Sequence, residues 1–199
     1  MLLITRQAVY AQAGLVAGLV LLAFIGGLLI GRGSRPAAKV AAPTAAAEPV
    51  ALEGHVLYAL SPGASLPDAG ATLIALPSDK KVAHKIAARG LRAGDDDDLD
   101  AAPSAEALRA IGAAVVRSNK SGQFELIVQQ PGDYSILIIS HHASRPEGST
   151  IALADAEALS QYFASPKELI GQQRYALIAK RFAGAPPPFT HEFGPTDKK

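Results

Sequence analysis

Asp95, Asp96, Asp97, Asp98 and Asp100 put five carboxylates into six consecutive positions, the densest charge cluster in the chain. Clustered carboxylates are hard oxygen ligands and could hold a divalent cation such as Ca²⁺. Asp95, Asp97 and Glu106 fall at positions 1, 3 and 12 of an EF-hand count, but Leu99 and Asp100 occupy positions 5 and 6, where that loop needs a ligand and a glycine. The count fails there. Between Gly94 and Ala101-Ala102-Pro103 the cluster reads as a solvated loop, with a weak divalent-cation site as the alternative.

His141 and His142 are the other candidates for ligation, yet neighbours on a strand point to opposite faces, so the pair is not expected to chelate one ion while the strand continues. His55, His84 and His191 are scattered, and there is no cysteine. Zinc, disulfide, thiolate and lipidated-cysteine chemistry therefore lack their usual residues. No Gly-x-Ser-x-Gly elbow, P-loop or dinucleotide-binding glycine pattern occurs. The sequence assigns no catalytic, cofactor-binding or metal-ligating residue, and it implies no cofactor.

The formal charge is +1. With Arg6, Arg32, Arg35 and Lys39 set aside, because they flank an apolar run, 15 basic residues face 18 acidic ones, a balance of −3. That leaves no electrostatic footprint for nucleic acid.

The apolar run, Ala13 to Gly31, is uncharged; at about 1.5 Å per residue it reaches roughly the 30 Å of a bilayer's hydrocarbon core. A cleaved signal peptide has a shorter apolar region followed at once by a small-x-small site, whereas this run meets Gly31-Arg32-Gly33-Ser34-Arg35. The segment reads as an uncleaved single-pass anchor in the lipid bilayer. Gly14/Gly18 and Gly27/Gly31 form two GxxxG pairs on opposite helix faces, so they do not make one dimer seam. Residues 35–50, with three prolines among alanines, form a semi-extended spacer.

Beyond the spacer the period changes to two. Leu52, Val56, Tyr58 and Leu60 share one face of an expected strand, opposite Glu53 and His55, and Ser61-Pro62-Gly63 stops it. Gly70 to Pro77 is apolar on both faces, as a buried strand is. Ala113 to Ser118 and Gln123 to Gln130 flank the turn Asn119-Lys120-Ser121-Gly122, which predicts a hairpin. After Pro131-Gly132-Asp133, Tyr134 to His142 opposes Ile136 and Ile138 to Leu137 and Ile139, as expected of a central strand covered on both sides. Short strands at regular turns predict a sandwich.

Four motifs make the prediction more specific: Glu53-Gly54-His55-Val56; Pro67-Asp68-Ala69-Gly70-Ala71-Thr72-Leu73; Ser118 through Leu126, SNKSGQFEL; and Pro131-Gly132-Asp133-Tyr134. Together, across Leu52 to His141, they resemble the carboxypeptidase regulatory-like family. The resemblance implies a transthyretin-like, Ig-like or Cna-B-like β-sandwich that is itself non-catalytic, accompanying enzymes or decorating surface proteins. Asn119 stands where the family usually has Asp, and both can bond their own backbone in a turn. A larger departure is the insertion between Pro77 and Ala113. The Cna-B branch sometimes carries a Lys-to-Asn cross-link; none of the strands Leu52 to Leu60, Gly70 to Pro77 and Gln123 to Gln130 holds a lysine for it. Basic residues beside the anchor favour a cytoplasmic domain. The family members mostly work outside the cytoplasmic membrane, and this favours the extracytoplasmic side.

Within the insertion, Lys80 to Gly90 reads as a short basic helix or a loop, and Ser104 to Ile111 as a two-turn helix that packs Leu108 and Ile111 inward and ends at Gly112. Further on, Ala152, Ala156, Leu159 and Phe163 form one stripe of a helix over Thr150 to Ala164. Ser165-Pro166-Lys167-Glu168 is a capping box for a second helix ending at Gly171. Arg174 to Phe182 reads as a strand, and Pro186-Pro187-Pro188 opens an extended, exposed tail. Tyr162, Phe163, Tyr175 and Phe182 could face a partner, though core packing suits them better.

The expected organisation is an N-terminal flank (1–12), a transmembrane helix (13–31), an Ala/Pro-rich linker (32–50), a β-sandwich (51–142, insertion about 78–112) and a helical and strand extension (143–199). The expected function is that of a membrane-anchored, non-enzymatic module in protein interaction or cell-envelope structure, with a protein partner. Alternatives are an accessory subunit of a membrane enzyme or transporter complex, a cation module built on Asp95 to Asp100, and a hydrolase.

Overall fold

The computed structural model describes residues 48–61, 63–95, 98–184 and 186–194. Residues 1–47, which hold the expected anchor Ala13 to Gly31 and most of the spacer, lie outside them, as do Asp96 and Asp97. Among the described residues no helix is long and apolar enough to cross a membrane. The described elements run β1 (Val50–Ser61), β2 (Ala64–Pro67), β3 (Thr72–Pro77), α1 (Pro103–Ala110), β4 (Ala114–Arg117), β5 (Gln123–Val128), β6 (Gly132–Ser144), α2 (Leu153–Ser160), α3 (Pro166–Ile170), β7 (Gln173–Phe182) and β8 (Phe189–Phe193).

The strands form two sheets of four. In the first, β1 pairs antiparallel with β5 through Val50 to His55 and with β2 through Leu57 to Ser61. It also pairs in parallel with β8 through Gly54 to Tyr58. Since that last span overlaps both others, β8 has one edge of β1 to itself while β5 and β2 share the opposite edge. Where they meet, the Val56 amide donates to the Gly122 carbonyl and the Val56 carbonyl accepts from the Asp68 amide, so the edge has no unpaired gap. Gly122 sits at φ +72°, and a Cβ there would come within 2.5 Å of the Val56 oxygen. The second sheet is antiparallel throughout, in the order β4, β3, β6, β7.

The predicted hairpin across Asn119 to Gly122 does not form. β4 pairs with β3 and β5 with β1, so the turn carries the chain from one sheet to the other. The turn chemistry is as expected, with the Asn119 Oδ1 accepting from the Ser121 and Gln123 amides. What differs is the partner each strand finds, and a local turn motif does not dictate that.

Leu52, Val56, Phe124, Leu126 and Val128 from the first sheet close on Leu73, Ala75, Ile136 and Ile138 from the second. The alternate residues Ile74, Leu76, Leu137 and Ile139 face the other way, under Leu91, Leu108, Leu159, Phe163, Leu169 and Ile170. The insertion and the extension thus cover the far face of the second sheet, which explains why β3 and β6 are apolar on both faces. Each such buried aliphatic or aromatic side chain is worth about 1.5–3 kcal/mol in transfer from water. The two covering segments are joined by a parallel bridge between Ile86 and Phe163. That bridge holds Lys80 to Gly90 as an extended loop, not a helix. Tyr162 and Phe163 are buried, as is Phe182, and Tyr175 packs against this layer, so the aromatic residues of the extension serve the core.

Helix α1 spans the predicted segment one residue early, burying Leu108, with Ile111 at its C-cap. Helix α2 is shorter than the expected Thr150 to Ala164: Leu159 and Phe163 of the stripe are buried, whereas Ala152 is exposed and precedes the helix. Helix α3 has the predicted cap, with the Ser165 hydroxyl accepting from the Glu168 amide and Pro166 in the first turn. The extension also supplies strands to both sheets. β7 pairs along most of β6, and β8, unforeseen after the three prolines, buries Phe193. The Tyr134 ring is buried against Phe182, and its hydroxyl donates to the Gln130 carbonyl four residues back, the arrangement of a tyrosine corner.

Candidate functional site

The tightest constellation of chemically capable side chains forms where β2 ends. Pro67 closes that strand, Ala69-Gly70 turns the chain into β3, and Asp68 between them is closed to solvent. One carboxylate oxygen accepts from the hydroxyl of Ser140, which is also closed to solvent, and the other accepts from the amides of His141 and His142. The Asp68 carbonyl accepts from the Ser118 hydroxyl, which in turn accepts from the Ala71 amide. Ser140 accepts from the Ala143 amide as well. A buried carboxylate without a cation is tolerable only when its lone pairs are so occupied.

This knot corrects the reading of the two histidines. Consecutive amides of an extended strand point apart, but those of His141 and His142 converge on one oxygen, and the pairing of β6 with β7 is irregular between Ile139 and Ser144. The imidazoles therefore lie side by side, centroids 4.4 Å apart and planes tilted by 35°. His142 also meets the Tyr58 ring at 5.1 Å. The Nδ1 of His141 is 2.8 Å from the Ala69 carbonyl. A carbonyl only accepts, so Nδ1 is the donor in this bond. Nε2 is backed by Gly94, where a Cβ would come within 2.4 Å of it.

Asp, Ser and His thus meet, but not as a nucleophile relay. A relay needs the imidazole between serine and carboxylate, with the hydroxyl open to substrate. Here the hydroxyl bonds the carboxylate directly, the ring is tied to a main-chain carbonyl, and Ser140 is inaccessible. The arrangement fixes backbone.

Among the described residues no three His, Asp or Glu side chains converge as a metal site would require. The described aspartates of the 95–100 run bond locally. Asp95 accepts from the Gly90 and Arg92 amides, Asp98 from the Asp100 amide, and Asp100 pairs with Arg109. His55 and His84 are exposed and apart. His191 faces inward on β8 opposite Val56, with the Phe193 ring 4.5 Å away and the Phe189 ring stacked at 6.4 Å; burial pulls its pKa below the usual 6.5.

Sequence reasoning missed the roles of Asp68 and Ser140. The available signal was a lone acid between a strand-ending proline and an Ala-Gly turn, which names no partner.

No family model, curated protein or solved structure matches the chain.

Proposed function

We propose that this chain is a membrane-anchored, non-enzymatic β-sandwich module of the carboxypeptidase regulatory-like kind, serving in protein interaction or cell-envelope structure. A single span over Ala13 to Gly31 holds it, and the sandwich is presented outside the cytoplasm. The observation that carries the reading is the inward use of its most reactive-looking cluster: Asp68 and Ser140 spend every bond on the fold. The resembling motifs also do structural work, as Asn119 shapes its turn, Phe124 fills the core and Tyr134 caps its corner. Fractionation with protease treatment of intact and lysed cells tests the reading. The full chain should sediment with membranes, and residues 48–194 should be cleavable before lysis; a chain found in the soluble fraction would sink it.

A second reading, an accessory subunit of a membrane enzyme or transporter complex, is favoured by Leu60 and Leu66, which are 63% and 42% exposed on one hairpin. It predicts co-purification with a larger partner in mild detergent, lost on changing both leucines to serine.

A further inference from the structure

β7 is the terminal strand of the second sheet, paired with β6 alone, and at 10 residues it is the longest edge among the described strands. The other edges, β2, β4, β5 and β8, run to 4, 4, 6 and 5 residues. Which of its main-chain groups are spent on β6 follows from the register. The Ser118 amide donates to the Ala71 carbonyl, so Ala71, Leu73 and Ala75 turn their main-chain groups toward β4, while Thr72, Ile74 and Leu76 turn theirs toward β6. The Ser78 amide donates to the Asp133 carbonyl and keeps the same alternation. On β6, Ser135, Leu137 and Ile139 therefore answer β3, and Tyr134, Ile136 and Ile138 answer Lys180, Ile178 and Ala176 of β7. That leaves Tyr175, Leu177, Ala179 and Arg181 with their N–H and C=O groups on the open edge, where no described residue bonds them.

An open row of this kind is a template for another extended chain, and proteins ordinarily blunt it with prolines, bulges or charges. Residues 175–182 pair with β6 without a bulge and contain no proline. What the strand offers is charge: it holds Arg174, Lys180 and Arg181 and no acid. The Lys180 ammonium belongs to no ion pair among the described residues and lies 5.2 Å from the centre of the Phe189 ring. Arg181 is 3.9 Å from the Asp133 carboxylate, and both of those side chains are mostly exposed. Pairing with a second copy would bring three cations from each strand into one ribbon with no acid between them, and like charges across a ladder repel. A strand that carries its own acids is attracted instead. Between the cations, Ala176, Leu177 and Ile178 are half-buried, so apolar side chains on an added strand would complete their cover.

We propose that β7 accepts an extended segment of a partner protein, apolar in alternation and acidic, as a fifth strand of the second sheet. The main chain of the segment bonds to Tyr175, Leu177, Ala179 and Arg181, and one of its carboxylates is set against Lys180. In strand addition the main chain supplies the affinity and the alternate side chains select the partner. The proposal rests on the reading of the chain as an interaction module and is independent of membrane anchorage.

The test begins with selection of a random heptapeptide display library on the full chain in detergent. Enriched peptides should alternate apolar residues and share Asp or Glu. On binding, the amides of Leu177, Ala179 and Arg181 should exchange hydrogen about tenfold more slowly or better, while those of Ala176, Ile178 and Lys180, already paired with β6, keep their rates. Methylating the peptide's own amides one at a time should weaken binding to the unaltered protein by about tenfold at alternate positions and leave it unchanged at the intervening ones. Lys180→Glu should weaken the acidic peptides by about threefold or more and favour versions with that acid changed to Lys. Ala179→Pro removes a donor that β6 does not use and should abolish binding; should that variant misfold, the methylated series decides. No enrichment, enrichment without an acid, indifference to methylation, or protection that ignores the alternation would each overturn the proposal. Protection of the same amides in the peptide-free chain as its concentration rises would overturn it too, by giving the edge to a second copy. Selection and exchange read recognition and fractionation reads anchorage, so failure of either is told apart from failure of the other.

Discussion

The hydroxyl of Ser140 donates to the carboxylate of Asp68, 72 positions earlier, and both side chains are closed to solvent. Through this bond the end of β2 fixes the irregular end of β6 and with it the side-by-side imidazoles of His141 and His142. Asp68→Asn places an amide donor among groups that also donate. It should cost about 3 kcal/mol in urea unfolding, and Ser140→Ala about 1–2 kcal/mol. Both should shift the His141 and His142 ring resonances, which a local packing defect elsewhere would leave in place.

Gly54 faces β8 so closely that an added Cβ would lie 1.8 Å from the Phe189 carbonyl oxygen and 2.9 Å from the Phe124 ring. Gly54→Ala should therefore unseat β8 at a cost of about 2 kcal/mol or more. Hydrogen exchange should quicken at residues 189–193 and along β1, while β3 and β6 keep their protection.

Burial lowers the His191 pKa below 6.5. As pH falls through that value the unfolded chain takes up a proton before the folded one does, so stability present near neutrality is lost on acidification. His191→Gln should flatten the fall in melting temperature between about pH 7 and about pH 5. At the alkaline limb, burial raises the pKa of Tyr134, Tyr162 and Tyr175 above 10.0, so stability should fall as pH rises through that value.

Phe163 is buried beneath the second sheet and bridges to Ile86, so the insertion and the extension share one core. Phe163→Ala should cost about 3–5 kcal/mol and lower a single cooperative transition. Separate melting of the sandwich and its covering layer would contradict that shared core. Tyr162→Phe, which loses the bond to the Pro77 carbonyl, should cost about 1 kcal/mol.

How far the sequence could be read follows from the range of the forces involved. β3 and β6 were legible because a strand covered on both faces must be apolar at successive positions, and α3 because Ser165 and Glu168 interact within one turn. β2 was not, since all four of its residues are exposed and no alternation marks it. Nor was β8, whose strand state depends on β1 more than 100 residues earlier. The histidine pair was misread because Asp68, distant in sequence, breaks the strand period that places neighbours on opposite faces.

The parallel seat of β8 on β1 bears on how the protein is made. Of the described strands, β1 is the first to leave the ribosome and β8 the last. Throughout synthesis β1 therefore holds out a row of unmatched amides and carbonyls from Gly54 to Tyr58, a template for any passing extended chain. Nascent chains stalled before Phe189 should cling to chaperones or to one another, and release of the finished polypeptide should end that stickiness.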